Sequence, residues 1–192
     1  ALWGFGVNDV WAAGSNGMTW HKGTGDWVET SSPRVEVLKS VWAASADEAF
    51  AAGIRGTVLR RGQQGWTSVS VAQGLVEDLE GVVGFAPNDV WVFGINDTVQ
   101  HFNGSSWTDR GQQAGTPRFK GFGTSANDVW VVGAGGAIIR WNGSGWSSVD
   151  SGVNVGLLGI WGSSPTDIWA VGGQGTLIHW NGSAWSPVAS GT

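Results

Sequence analysis

The chain lacks cysteine and tyrosine, only 13% of its 192 residues are charged, and no apolar run reaches membrane-spanning length. Without cysteine there are no disulfides, thiolate metal sites or cysteine nucleophiles, and the redox compartment stays open. Acidic residues outnumber basic ones by 15 to 10, which excludes the basic surface that holds nucleic acid. A membrane helix needs about 20 consecutive apolar residues, so we expect no membrane span.

The first residues, ALWGFGVNDVW, contain neither a basic n-region nor a cleavage signal. We therefore expect that any targeting peptide has been trimmed or never existed. The cellular location stays open, and an extracytoplasmic or secreted location is compatible with these features.

Glycine and tryptophan are abundant, with 33 Gly and 15 Trp, as expected when a short segment is copied several times. A glycine recurs every 39 or 41 residues, at Gly14, Gly53, Gly94, Gly133 and Gly172. A tryptophan recurs in step, at Trp27, Trp66, Trp107, Trp146 and Trp185. An acid recurs at Asp9, Glu48, Asp89, Asp128 and Asp167, followed two residues later by an aromatic at Trp11, Phe50, Trp91, Trp130 and Trp169. The chain is therefore one domain, 1–192, of five repeats at about 1–33, 34–74, 75–115, 116–154 and 155–192.

Each repeat has the pattern of four short strands, which we name A to D: LLGIWG, DIWAVG, TLIHW and AWSPVA in the last repeat. A glycine-rich turn separates B from C, and NGS, a hairpin signal, separates C from D in three repeats. Four strands of about five residues with short connections account for a repeat of just under 40 residues. Radial repetition of four-stranded sheets is the β-propeller, so we predict an all-β, five-bladed propeller with four antiparallel strands per blade. The first repeat begins inside strand A and the last ends after strand D, so we expect closure to depend on packing between the first and last blades, or on a register shifted by one strand.

Runs of the form D-[VI]-W-A-V-G-x-x-G-x-[IL]-x-[HR]-W-x-G extend through all five repeats. They resemble bacterial propellers of the Asp-box (BNR-like) and photosystem-assembly-factor kind. That resemblance implies a propeller. The families concerned include sugar hydrolases, lectin-like binders and assembly factors. The Ser-x-Asp lead of the Asp-box is missing, and only its Gly-x-x-Trp part is present, at Gly104–Trp107, Gly143–Trp146 and Gly182–Trp185. No hydrolase residue is therefore transferred to this chain.

Residues that recur in every repeat are needed wherever the repeat lies, and residues that differ can serve a local task. The recurring acid is assigned to the A–B turn, where its carboxylate accepts backbone N–H groups. A cation-forming residue recurs in strand C, at His21, Arg60, His101, Arg140 and His179. A polar group inside a strand needs a partner, so these side chains either bond to the turn acid or backbone, or form a five-fold set that binds an anion or a sugar. A metal site is not expected, because five-fold symmetry would hold the histidines apart.

The tryptophans outside the recurring columns lie on strand A, at Trp3, Trp42 and Trp161, and on strand C, at Trp20, Trp141 and Trp180. An exposed indole on a polar rim stacks against a pyranose, although packing in the core is the commoner role. The strand-C set is included among the candidate ligand-binding residues.

The D–A connections and the B–C turns differ between repeats, and propeller geometry predicts that both lie on one face of the disc. The ligand candidates there are Asn96, Asp97, Gln112, Gln113 and Arg118. Further variable positions on this face are Arg34, Glu36, Gln73, Glu77, Asp78, Asn16, Arg55 and Gln174.

No converging carboxylates of the glycosidase kind and no Ser-His-Asp arrangement are found, so we predict a protein that is not an enzyme and needs no cofactor. The main hypothesis is a monomeric, multivalent lectin-like module that binds carbohydrate between blades. The alternative is a protein-interaction scaffold that uses the variable loop face. A third possibility is an excised or engineered propeller without a ligand of its own.

Overall fold

A computed structural model of the chain describes residues 1–71, 75–111 and 117–191. It contains 20 strands in five four-stranded antiparallel sheets, which confirms the five-bladed β-propeller. In every sheet the strands are paired in chain order. Two three-residue 3-10 turns, Ser15–Gly17 and Ala134–Gly136, join strands B and C in the first and fourth repeats. No helix in the described ranges has the length and apolarity needed to cross a membrane.

Each repeat supplies one blade, and the blades are numbered in chain order. Blade 1 contains β1 to β4, at Leu2–Gly6, Asp9–Ala13, Thr19–Lys22 and Trp27–Thr30. Blade 2 contains β5 to β8, at Leu38–Ser45, Glu48–Gly53, Val58–Gly62 and Gly65–Val69. Blade 3 contains β9 to β12, at Leu79–Ala86, Asp89–Gly94, Val99–Phe102 and Trp107–Asp109. Blade 4 contains β13 to β16, at Arg118–Ser125, Asp128–Gly133, Ile138–Trp141 and Trp146–Val149. Blade 5 contains β17 to β20, at Leu157–Ser164, Asp167–Gly172, Leu177–Trp180 and Trp185–Pro187.

The C–D hairpins form where the NGS signals predict them. Asn142 Oδ1 accepts the backbone N–H groups of Ser144 and Gly145, at 3.0 Å each, so one side chain satisfies the turn. Gly143 follows with a φ of 94°, in the left-handed region that glycine adopts without strain. The same side-chain bonds are made by Asn103 and Asn181.

The chain divides into two compact units, Ala1–Gly94 with Thr98–Gly111, and Ile95–Asp97 with Gln112–Thr192. The first unit contains the strands of blades 1 to 3, and the second contains those of blades 4 and 5. Within each unit, we call the side of a blade that packs on the preceding blade its upstream face, and the opposite side its downstream face. The apolar clusters lie between neighbouring blades.

In the first unit, the downstream face of blade 1 packs on the upstream face of blade 2, through Trp11, Ala13, Leu38, Val41, Ala43, Ala49, Ala51, Leu59 and Trp66. The downstream face of blade 2 packs on blade 3 through Trp42, Phe50, Ala52, Val58, Leu79, Val82, Val90, Val92 and Phe102. In the second unit, blades 4 and 5 meet at Trp130, Val132, Ile138, Leu157, Ile168, Ala170, Ile178, Trp180 and Trp185. Side chains alternate between the two faces of a strand, so one strand serves two interfaces.

Candidate functional site

The recurring acid and the strand-C histidine or arginine of each blade lie against each other. The five pairs of atoms are His21 Nε2 and Asp9 Oδ1 at 2.7 Å, Arg60 Nε and Glu48 Oε1 at 2.6 Å, His101 Nε2 and Asp89 Oδ1 at 2.8 Å, Arg140 Nε and Asp128 Oδ1 at 2.7 Å, and His179 Nε2 and Asp167 Oδ1 at 2.8 Å. Each contact joins strand C to the first residue of strand B in its own blade, directly after the A–B turn to which the sequence assigned the acid. Such a hydrogen bond offsets the desolvation of a partly buried polar side chain.

The same histidines and arginines also stack on the strand-B ring that the register places opposite them. The imidazole of His101 lies 4.1 Å from the Trp91 ring, and the two rings are nearly parallel. In blade 4 the Arg140 guanidinium lies 4.7 Å from the Trp130 ring centroid, within the range of a cation–π contact. The strand-C candidates therefore lie between a carboxylate and a ring, and the remaining polar atom of each imidazole is Nδ1.

The candidate tryptophans of strand C differ in burial: two are buried and one is half-buried. Trp141 and Trp180 are 9% and 7% exposed, and Trp180 packs on Trp130 at 5.0 Å between ring centroids. Trp20 is half-buried in β3 of blade 1. The rings of Trp141 and Trp180 are covered by neighbouring side chains, so they present no open face to a sugar.

The remaining ligand candidates lie in different connections. Asn96 and Asp97 form the B–C turn of blade 3, with φ values of 55° and 59°. Gln112 and Gln113 lie outside the described residues, as does Gln73. Arg118 begins β13, and its side chain also lies outside the described part. The structure thus describes no single site that brings these candidates together with the strand-C set.

The carboxyl of Asp167 is held in its charged form. Hydrogen bonds from the Ser163 hydroxyl, the His179 ring and the Trp169 indole lower the pKa of Asp167 below its ordinary value of 3.8. A group whose pKa falls on folding stabilises the folded state above its unfolded pKa, and this contribution is lost as the pH falls through the folded pKa. We expect Asp167→Asn to lower the free energy of unfolding at pH 6, and the difference from wild type to shrink as the pH falls below about 3.8.

Urea denaturation of both proteins across this pH range measures that difference. Asp26→Asn, at an exposed position, is the matched control, and we expect it to follow wild type throughout. A deficit of Asp167→Asn that stays constant down to the lowest pH would contradict the assignment.

The D–A connections and the B–C turns are joined by backbone hydrogen bonds. The N–H of Gly17 donates to Glu36 O at 2.9 Å, and the N–H of Gly56 donates to Glu77 O at 2.8 Å. In both cases the turn of one blade bonds to the connection that leads to the next blade. These variable segments therefore form a common surface in the first unit, which we call the loop face.

A cleft of about 370 Å³ opens on the loop face around blade 2. It lies between the connections that precede and follow this blade, above the turn between β6 and β7. Its lining residues are Arg34, Glu36, Arg55, Gly56, Thr57, Val58, Val69, Ser70, Val71 and Leu75. Two cations, one carboxylate and several apolar side chains thus share one small concave surface.

The charged groups of the cleft differ in their hydrogen bonding: Arg34 has a side-chain partner, whereas one oxygen of Glu36 has none among the described residues. Arg34 Nε donates to Ser68 Oγ at 2.9 Å, which holds this guanidinium beside β8. Glu36 is half-buried, and its Oε2 is shielded from solvent and accepts no hydrogen bond among the described residues. A shielded carboxylate oxygen without a donor destabilises the protein by its desolvation, and a ligand that donates a hydrogen bond to it removes this penalty.

Two acids beside the cleft, Asp78 and Glu80, share one lysine, Lys39. Lys39 Nζ lies 2.5 Å from Glu80 Oε1 and 3.3 Å from Asp78 Oδ2. Burial lowers the pKa of Lys39, but hydrogen bonds to Glu80 and Asp78 outweigh it and raise the pKa above its ordinary value. The backbone N–H of Arg55, followed by Lys39, lowers the pKa of Asp78. One lysine therefore compensates part of the negative charge of these two acids beside the cleft.

Sequence reasoning identified Arg34, Glu36 and Arg55 as variable loop positions, and it missed Leu75 and the contact between Lys39 and Glu80. Lys39 and Glu80 occupy equivalent positions in successive repeats, so their opposite charges were the available signal. Among the described residues, no group of three or more His, Asp or Glu side chains is placed to hold a metal ion.

Comparison with solved structures finds other propellers. The structure of YCF48 bound to D1 peptide matches with a TM-score of 0.69 and 18% identity, over 96% of this chain and 64% of the other. The WD40 β-propeller domain of Doa1 matches with a TM-score of 0.78 and 12% identity, over 98% of this chain and 66% of the other. No protein-family model and no curated protein matches the sequence. At these identities the likeness shows the fold, and the chain spans slightly less than two thirds of each of those chains.

Proposed function

We propose that this chain is a non-catalytic interaction module that binds an extended segment of a partner protein in the loop-face cleft of blade 2. The observation that carries the proposal is the shielded Oε2 of Glu36, to which no described residue donates, in a cleft that Arg34 and Arg55 also line. A peptide backbone supplies N–H donors for the carboxylate and carbonyl acceptors for the guanidinium groups. Acidic side chains on the peptide add charge-assisted hydrogen bonds to the arginines.

The apolar part of the cleft favours a peptide over a free anion. Val58, Val69 and Leu75 line it together with the charged groups, so a side chain of the ligand can be desolvated there. Binding sites commonly combine an apolar lining with a few polar groups that fix the ligand's orientation. The cleft volume of about 370 Å³ suits a few residues of an extended chain.

One of the solved neighbours supports this class of function. YCF48, whose structure shares this fold, was solved with a D1 peptide bound to it. The identity of 18% transfers no contact residue to this chain, so the proposed site rests on the cleft itself. The carbohydrate hypothesis draws less support, because the strand-C cations bond to acids in their own blades and two of the three strand-C indoles are covered.

The test is a random peptide library displayed on phage, panned against the whole chain, with the enriched peptides measured by titration calorimetry. We expect enriched peptides to carry acidic residues. The double variant Arg34→Glu/Arg55→Glu is expected to weaken their binding at least tenfold, about 1.4 kcal/mol, because it replaces two attractive charges with repulsive ones.

Arg110→Glu is the control, because Arg110 is exposed and does not line the cleft. We expect its affinity to stay within about twofold of wild type, which is a small change on the scale of binding free energies. A glycan array is screened in parallel. Enriched peptides that bind the double variant as well as wild type would overturn the site. A panel that yields sugar ligands and no peptide would overturn the function.

A further inference from the structure

The C–D hairpin of blade 2 is built differently from those of blades 3, 4 and 5. In those three blades the ladder between strands C and D ends at an aromatic residue paired with a tryptophan, and an NGS connection follows. In blade 2 the ladder continues to Gly62 and Gly65, so that only Gln63 and Gln64 form the turn. Blade 2 therefore has a tighter hairpin and none of the turn asparagines.

The longer connections of blades 3, 4 and 5 cover the A–B turn of their own blade. An added Cβ at the first glycine of each connection would lie 2.7 Å from an atom of Asn88, Asn127 or Thr166, the residue before strand B. At Gly62 and Gly65 of blade 2, no described atom lies within 4 Å of such a Cβ. The tighter hairpin thus leaves space between the C–D turn and the acid of blade 2.

A second cleft, of about 380 Å³, lies in this space, and we call it the hairpin cleft. It opens at the end of blade 2 opposite the loop face, where the A–B and C–D turns lie. Strands B, C and D each contribute one polar side chain, and the turn contributes two amides. These side chains are Glu48, Arg60, Thr67, Gln63 and Gln64.

The acids of blades 4 and 5 have several donors each. The carboxylate of Asp128 accepts hydrogen bonds from Thr124 and Trp130 as well as from Arg140. In blade 5, a serine hydroxyl, an indole N–H and a histidine bond in the same way to the recurring acid. Both oxygens of these two carboxylates are therefore used within their own blades.

The acid of blade 2 lacks two of these donors. The register places Ala44 where blade 4 has its threonine, and Phe50 where it has its indole, and neither side chain has a polar atom. Glu48 Oε1 accepts from Arg60, whereas no described residue donates to Oε2. Glu48 is also one methylene longer than the aspartates of the other blades. Its second oxygen is therefore available in the hairpin cleft.

Arg60 is held in one orientation beside this oxygen. Its Nε donates to Glu48 Oε1 at 2.6 Å, and its guanidinium lies 5.5 Å from the Phe50 ring centroid and 5.7 Å from that of Phe102. Contacts at these distances are within the cation–π range. Among the described residues, nothing accepts a hydrogen bond from its two Nη groups. The cleft therefore presents fixed donors beside a fixed acceptor, and a ligand would lose little freedom of the protein on binding.

We propose that the hairpin cleft binds a neutral sugar residue through two adjacent hydroxyl groups. A hydroxyl donates one hydrogen bond and accepts others, so one hydroxyl donates to Glu48 Oε2 while its neighbour accepts from an Arg60 Nη group. The amides of Gln63 and Gln64 both donate and accept, which suits the remaining hydroxyls. A free anion fits less well, because Glu48 already compensates the arginine and repels a second negative charge.

This site differs from both sites considered above. It lies in blade 2 alone and uses no indole, unlike a multivalent lectin with pockets between blades. It also shares no residue with the loop-face cleft, whose lining includes Arg34 and Arg55. The two clefts can therefore be tested independently.

The first test titrates the ¹⁵N-labelled whole chain with glucose, galactose, mannose and N-acetylglucosamine, followed by NMR. We expect at least one of these sugars to cause saturable shifts of the Arg60 Nε–H and of the Gln63 and Gln64 side-chain amides. Gln63→Ala/Gln64→Ala is expected to weaken binding about tenfold, because it removes two hydrogen-bonding groups. Both glutamines are exposed, so the fold is retained, which circular dichroism checks.

The matched control for the glutamines is Thr24→Ala/Asp26→Ala, a double change at exposed positions in the C–D connection of blade 1. We expect its affinity to stay within about twofold of wild type. The loop-face variant Arg34→Glu/Arg55→Glu is expected to bind sugars as wild type does, whatever its effect on peptides. Sugar binding that survives the glutamine change unaltered would overturn the site.

The second test concerns charge compensation. Glu48→Gln keeps the shape of the side chain and an acceptor for Arg60, but it leaves the arginine charge uncompensated. We expect the ratio of affinities for glucuronate and glucose to rise about tenfold in this variant. Glu29→Gln, at an exposed position of blade 1, is expected to keep the wild-type ratio.

Two further outcomes would overturn the proposal. One is the absence of saturable shifts with every neutral sugar. The other is a shift caused by acetamide, a primary amide, in the absence of any shift with the sugars, which would assign the cleft to an amide side chain of a protein. An unchanged ratio of affinities in Glu48→Gln would likewise contradict the role given to Glu48.

Discussion

Asp128→Ala is expected to lower the free energy of unfolding by about 3 kcal/mol, because it removes the acceptor of three side-chain donors at once. The Thr124 hydroxyl, the Trp130 indole N–H and the Arg140 guanidinium all donate to this carboxylate, at 2.6, 3.0 and 2.7 Å. Asp128 is 8% exposed, so water replaces these bonds poorly. Urea denaturation followed by tryptophan fluorescence measures the loss.

The control for Asp128 is Asp26→Ala, a change of the same chemistry at an exposed position. A surface substitution of this kind is expected to change the stability by no more than about 0.5 kcal/mol. Arg140→Ala measures the contribution of the arginine alone, because it removes one donor to Asp128 and leaves the donors Thr124 and Trp130 in place. If Asp128→Ala cost no more than the Asp26 change, the cluster would not stabilise the blade.

Gly136→Ala is expected to cost about 3 kcal/mol or more, and its neighbour Gly135→Ala about 1 kcal/mol. Both glycines have left-handed backbones, with φ of 75° and 61°, so both substitutions bear the strain of that conformation. They differ in space: a Cβ at Gly136 would lie 2.0 Å from Val153 O, whereas nothing lies within 4 Å of one at Gly135. The pair therefore separates backbone strain from steric exclusion.

Thermal and urea denaturation of the two glycine variants measure this difference directly. The larger loss at Gly136 follows because the obstructing atom belongs to the backbone and cannot rotate away. Equal losses at the two positions would show that the connection at Val153 moves freely, and that the contact does not restrain the turn.

The sequence predicts the blades well because their structure depends on residues that recur. The turn asparagines, the turn glycines and the strand-B rings are present at one spacing, so the four-stranded sheet follows from local rules. The fixed interval of 12 residues between Asp9 and His21, repeated in every blade, likewise brings an acid opposite a cation. Sequence reasoning left a choice between this pairing and a binding role, and the hydrogen bonds show that the pairing is made.

The cleft could not be predicted in the same way. It forms from three separated segments, around Arg34, Arg55 and Leu75, that hydrogen bonds between turns and connections bring together, and none of these segments repeats. The different exposures of Trp42 and Trp161 could not be predicted for another reason. Trp161 and Trp42 are the same residue at equivalent positions, and only the coordinates distinguish the exposed ring from the buried one.

The bond between acid and cation lies wholly inside one blade, whereas contact between blades depends chiefly on rings and small apolar residues. A duplicated blade therefore keeps the bond between its recurring acid and its strand-C residue, and it needs chiefly a matching apolar neighbour to be accommodated. Gain, loss or exchange of whole blades should be tolerated far better than a cut through the middle of one. The natural place to shorten, lengthen or recombine this protein is the connection between one strand D and the next strand A.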